Sequence, residues 1–133
     1  MIQRIQSIYL LVAAIAMALV SFKIPVWSLN EEFTFTLDDT KMFILTFTAF
    51  MFSGLAIFLF KNRNLQMKLI RLSILMLMVI GVRLGILLGN DEYISSLNTW
   101  CIALLVLSFI ALIMAFRGVK KDHDLVRSVD RIR

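Results

Sequence analysis

The sequence predicts an all-α integral membrane protein, a four-transmembrane-helix bundle with both termini in the cytoplasm. Three observations predict it: 60% of the 133 residues are hydrophobic, four long apolar runs divide the chain, and the 14 basic residues gather in alternate connections. Soluble domains are typically about 45 to 50% apolar, so one small core cannot hide this much apolar surface. One Pro, five Gly and one Cys argue against a disordered linker, a disulfide-stapled secreted module and a Cys-based metal site. The net charge of +5 does not point to nucleic acid, because the basic residues lie in short stretches between apolar runs with no aromatic-studded groove.

A helix crosses a hydrocarbon layer of roughly 30 Å with about 17 to 25 apolar residues. The first span starts near Ser7, reaches Phe22 and is expected to continue to Trp27, with Lys23 lifting its amine toward the headgroups and Pro25 near the exit. Ala14, Ala16 and Ala18 are small residues of the kind that end a signal peptide. The apolar run continues past them, so an uncleaved anchor is expected. The second span is Met42 to Phe60, the third Leu69 to Gly89 with Arg83 inside it, and the fourth Thr99 to Phe116. The predicted spans are thus about 7–27, 42–60, 69–89 and 99–116, with a tail 117–133, in a single domain, 1–133.

Cytoplasmic connections retain Lys and Arg during insertion. Arg4, Lys61, Arg63, Lys68, Arg71, Arg117, Lys120, Lys121, Arg127, Arg131 and Arg133 fall on one side, and only Lys23 and Lys41 on the other. Both ends are therefore expected inside, with Trp27 and Trp100 at the outer boundary. In the first outer loop Phe33, Phe35 and Leu37 alternate with Thr34 and Thr36, the two-residue period of a short strand or hairpin. The second outer loop, NDEYISSLN, is short enough to make the third and fourth spans antiparallel neighbours.

Helices associate in lipid through close packing at small side chains. Ala14, Ala18 and Ser21 share one face, as do Ala49, Ser53 and Ala56, and Ser108, Ala111 and Ala115. The third span carries a double GxxxG pattern in Gly81, Gly85 and Gly89, read either as intrachain packing or as a partner contact. At about 100° per residue Arg83 points roughly 160° away from those glycines. The two faces are not expected to look into the same bundle, which hints at a partner, a bound anion or lipid beside one of them. Arg83 lies about 9 Å below the outer end of its span. It is expected either to snorkel or to pair with Asp91, Glu92, Glu31 or Glu32, or else to meet a ligand, lipid phosphate or partner.

The inner loop KNRNLQMKLIR sets Lys61, Arg63, Lys68 and Arg71 beside the membrane, where they fix topology or attract anionic lipid. In the tail, Leu125, Val126, Val129 and Ile132 occupy one helical arc and Arg127, Asp130 and Arg131 the other. This predicts a short amphipathic C-terminal helix that lies on the bilayer or against a partner.

No catalytic, cofactor or metal constellation is expected. His123 and Cys101 are the only His and Cys, so no pair exists to hold a metal or form a nucleophile and base. The acidic pairs Glu31 with Glu32, Asp38 with Asp39, and Asp91 with Glu92 read as solvated outer charges that diverge on an extended chain. None of the spans contains Asp or Glu, whereas ion-coupled transport needs polar groups near mid-membrane.

The beginning MIQRIQSIYLL and the ending KDHDLVRSVDRIR, joined by four spans, resemble an uncharacterised four-span inner-membrane protein family of Gram-negative bacteria, classified as a domain of unknown function. The resemblance implies an inner-membrane protein and supplies no catalytic residues. It draws attention to Arg4, Arg127, Asp130 and Arg131, with Asp130 expected to pair with Arg127 or near the first helix. The leading functional expectation is a non-enzymatic accessory or scaffold subunit of a membrane complex, meeting a membrane-protein partner or a second copy through the third span or the tail. The alternative is a binder of an anionic lipid or amphiphile, and the third reading a subunit of a small transporter.

Overall fold

In the computed structural model the chain is described over residues 2–29, 32–36, 39–89 and 98–130. Helix α1, Ile2–Phe22, buries Leu10, Ala13, Ala14, Met17, Val20 and Ser21, a stripe at helical spacing. It stops at Phe22 and does not continue to Trp27, because Pro25 has no N–H to donate and disfavours the helical conformation in the residue before it. The amides of Lys23 and Ile24 both close back on the Leu19 carbonyl. The Thr36 hydroxyl donates to the carbonyls of Val20 at 3.0 Å and Ser21 at 2.7 Å, groups the helix itself leaves without partners.

From Pro25 the chain forms strand β1, Pro25–Leu29, which pairs antiparallel with β2, Glu32–Phe35. Trp27 faces Thr34 and Leu29 faces Glu32, with a register shift between Pro25 and Trp27. The alternation seen in the sequence thus belongs to a hairpin whose first strand begins inside the expected first span. The Asn98 amide donates to the Val26 carbonyl at 2.9 Å, tying the entry of the last helix to this hairpin.

Helix α2 is Thr40–Phe58, α3 is Arg63–Leu88 and α4 is Thr99–Asp130. Asp39 caps α2, its carboxylate accepting from the amides of Lys41 and Met42, and Asn62 caps α3 by accepting from Leu65. Most of the expected inner loop is therefore the first two turns of α3: Arg63, Lys68 and Arg71 are helical, and the connection from α2 is short. The expected short separate C-terminal helix is likewise a continuation of the fourth span, because nothing in Arg117–Asp130 stops a helix. At 1.5 Å per residue, α4 is about 48 Å long, well beyond a roughly 30 Å hydrocarbon layer.

The helices form a closed ring, each packed on its neighbours in sequence and α1 on α4, with the seam between α3 and α4 the least populated. Ala49, Ser53 and Ala56 face inward, as do Ser108, Ala111 and Ala115. Their hydroxyls are satisfied within the helices, Ser53 by the Phe50 carbonyl and Ser108 by the Leu104 carbonyl. Outward-facing Ile8, Ile44, Val82, Ile86 and Ile110 are exposed, an arrangement water would penalise and lipid tails accept. All four helices are long and apolar enough to cross a membrane.

Candidate functional site

The end of the bundle where α1 starts carries a polar cluster built from core-facing positions. Gln6 continues the buried stripe of α1, and Asp122 that of Ala115 and Val119 on α4. The Gln6 amide donates to the Asp122 carboxylate at 2.8 Å, and Arg63 donates to the Asp122 backbone carbonyl at 2.9 Å. Gly118 makes the approach: a Cβ there would lie 2.8 Å from Gln6 Cγ. About two turns further into the bundle, the Arg71 guanidinium carbon stands 5.1 Å from the centre of the Phe116 ring, within range of a cation–π contact. These contacts pin α3 to α4 at the basic end.

Toward the hairpin end the two helices leave an apolar groove of about 560 Å³, with Met78, Gly81 and Gly85 on one wall and Ile102, Val106 and Phe109 on the other. Gly81 and Gly85 are exposed, and a Cβ on either would meet nothing within 4 Å. The glycine stripe therefore does not bring two helices of this chain together. Gly89 caps α3, where a Cβ would stand 3.2 Å from the Ile86 carbonyl.

Arg83 forms an ion pair with Asp39, the residue that caps α2. This partner was not among the expected ones. Asp91 and Glu31 lie outside the described residues, as do Glu92 and the Glu32 side chain, whereas Asp39 stands at the end of a helix antiparallel to α3. It also corrects the reading of Asp39 as a solvated outer charge, since its side chain is only 22% exposed. The angular conflict between Arg83 and the glycines disappears as well. α3 sits between α2 and α4, so its two flanks look at different neighbours, and the angle by itself implies no partner.

Lys61, Lys68, Arg71, Arg117, Lys120 and Lys121 are exposed at the same end, and among the described residues none has a carboxylate partner. Leu125 and Val126 are half exposed on the extension of α4. Ile132 and the side chains of Val129, Arg4, Arg127 and Asp130 lie outside the described residues, so the expected pairing of Asp130 is not seen, and Asp122 performs that closure with Gln6. Among the described residues no three His, Cys, Asp or Glu side chains cluster. Sequence reasoning passed over Gln6, Gly118 and Asp122. The signal for Gln6 and Asp122 was present: each is a polar residue at a position where the helical period calls for an apolar one.

Four apolar helices in a ring, greasy outside and joined by polar contacts at one end, define a multi-pass membrane protein. The chain belongs to the family described as Domain of unknown function (DUF4293), which matches residues 2–132. No curated protein and no solved structure matches it.

Proposed function

We propose that this protein is a non-enzymatic accessory or scaffold subunit of a membrane complex in the bacterial inner membrane, with both termini in the cytoplasm. The orientation rests on the basic residues, which all but Lys23, Lys41 and Arg83 gather at one end. The observation that carries the role is the exposure of Leu125 and Val126, at 50% and 49%. Apolar side chains along the spans are covered by lipid. Leu125 stands nine residues past Phe116, about 13 Å along the axis, and the headgroup layer adds only about 5 to 8 Å on each side of the hydrocarbon. These side chains therefore emerge beyond the bilayer on a rigid helix, presented to a partner in the aqueous phase.

The test is native mass measurement of the full-length protein, tagged at its N-terminus and extracted from its own membranes in mild detergent. The expected result is a stoichiometric complex that the double substitution L125D/V126D dissolves while the melting temperature of the protein stays unchanged. A lone monomer, or a complex indifferent to that substitution, overturns the reading.

A further inference from the structure

We infer that the seam between α3 and α4 seats one anionic phospholipid from the leaflet at the basic end, its phosphate on Arg71 and Lys120 and an acyl chain in the apolar groove. This goes beyond the scaffold reading and uses a different surface. At about 100° per residue, Arg71 shares the strip of α3 that holds Met78 and Gly85. Lys120 lies one turn beyond Phe116, which shares a strip of α4 with Phe109 and Ile102. Met78, Gly85, Phe109 and Ile102 line the groove. Arg71 and Lys120 thus stand on the same strips as its two walls, about 10 Å and 16 Å along the helices from Met78 and Phe109.

The Arg71 guanidinium lies over the Phe116 ring, and the side chain is exposed. A guanidinium so placed keeps N–H groups available to grip phosphate oxygens. Lys120 borders a shallow depression with Arg117, Lys121, Asp124, Leu125 and Ser128, three basic side chains against one acidic. Arg83, the cation within the spans, is already neutralised by Asp39. The seam cations have no such partner among the described residues.

Gly81 lies ten residues above Arg71, about 15 Å along the helix, which is half of a roughly 30 Å hydrocarbon layer. A chain anchored at Arg71 therefore fills the part of the groove nearer the basic end, between Leu77 and Gly81, where Gly81 leaves open space. A helix of a second copy in the groove would satisfy the glycines and leave both cations unmet, so charge complementarity selects the lipid.

The experiment is native mass spectrometry of the full-length protein in mild detergent, titrated with phosphatidylglycerol and with phosphatidylcholine of the same chain length. One phosphatidylglycerol is expected to be retained where phosphatidylcholine is not. R71Q/K120Q is expected to weaken retention roughly tenfold or more, R71K/K120R to keep it, and K61Q/K68Q, with the same charge removed from the same end, to leave it within about twofold. G81L is expected to weaken a long-chain phosphatidylglycerol and spare a short-chain one. Equal losses in R71Q/K120Q and K61Q/K68Q would reduce the effect to general surface attraction and overturn the proposal. So would the absence of a headgroup preference, or a G85C variant that crosslinks to a second copy in lipid-replete membranes. L125A/V126A, which removes the apolar contact and adds no charge beside Lys120 and Lys121, is expected to dissolve the complex and keep the lipid, so this proposal and the scaffold reading fail separately.

Discussion

Gln6 and Asp122 stand 116 residues apart in sequence and 2.8 Å apart in space, a buried hydrogen bond that ties the start of α1 to the extension of α4. Removing one partner strands a buried carboxylate, whereas replacing both with apolar side chains removes the demand. Q6L is therefore expected to destabilise the fold by about 1 to 3 kcal/mol. The double substitution Q6L/D122L is expected to recover most of that loss. Thermal unfolding in detergent measures both, and a double variant worse than Q6L would contradict the pairing.

The five glycines separate into those that need to be glycine and those that do not. G118A places a methyl group against Gln6 Cγ and Nε2, and Gln6 can yield only by giving up Asp122. The expected cost is about 1 to 3 kcal/mol. G81A and G85A meet nothing within 4 Å and are expected to be neutral or to gain up to about 1 kcal/mol from helix propensity. With the three variants measured side by side, G118A is expected to melt lowest, and G81A and G85A at or above the unsubstituted protein.

Asp39 has two jobs, capping α2 and neutralising Arg83. Asn retains the cap and loses the charge, while Ala loses both. D39A is therefore expected to lower the melting temperature more than D39N. R83M should restore part of the D39N loss, since it removes the cation that D39N leaves alone. If D39N and R83M simply add, the ion pair contributes nothing to stability.

The proposed orientation predicts opposite labelling at the two ends of the bundle. In a background with Cys101 replaced by Ala, S128C is expected to resist a membrane-impermeant maleimide added to spheroplasts and to react after lysis. K41C is expected to react in both. Both positions are exposed on the folded chain, so the bilayer alone decides the result, and the reverse pattern would invert the topology.

The four spans were legible in the sequence because crossing a membrane is a local demand: about twenty apolar residues in a row meet it whatever lies beside them. The hairpin was half legible. The alternation of Phe33 to Thr36 announced one strand, while Pro25 to Trp27 read as the continuation of an apolar helix because Val26 and Trp27 suit either state. The seam was not legible as a site. Arg71 appeared as one of several basic residues in a loop, and its stacking on Phe116 depends on a residue 45 positions away.

From the sequence alone came the number of spans, the basic and acidic ends, and the amphipathic run past Phe116, since hydropathy and charge act on each segment separately. Only the tertiary structure decided that Arg83 belongs to Asp39, that Gly81 and Gly85 are open while Gly118 is closed on Gln6, and that the tail as far as Asp130 continues α4. The physical reason is axial register. Whether a charge finds its counterion or a glycine finds a neighbour depends on how far one helix has slid along the next, and that offset is set by the packing of all four together.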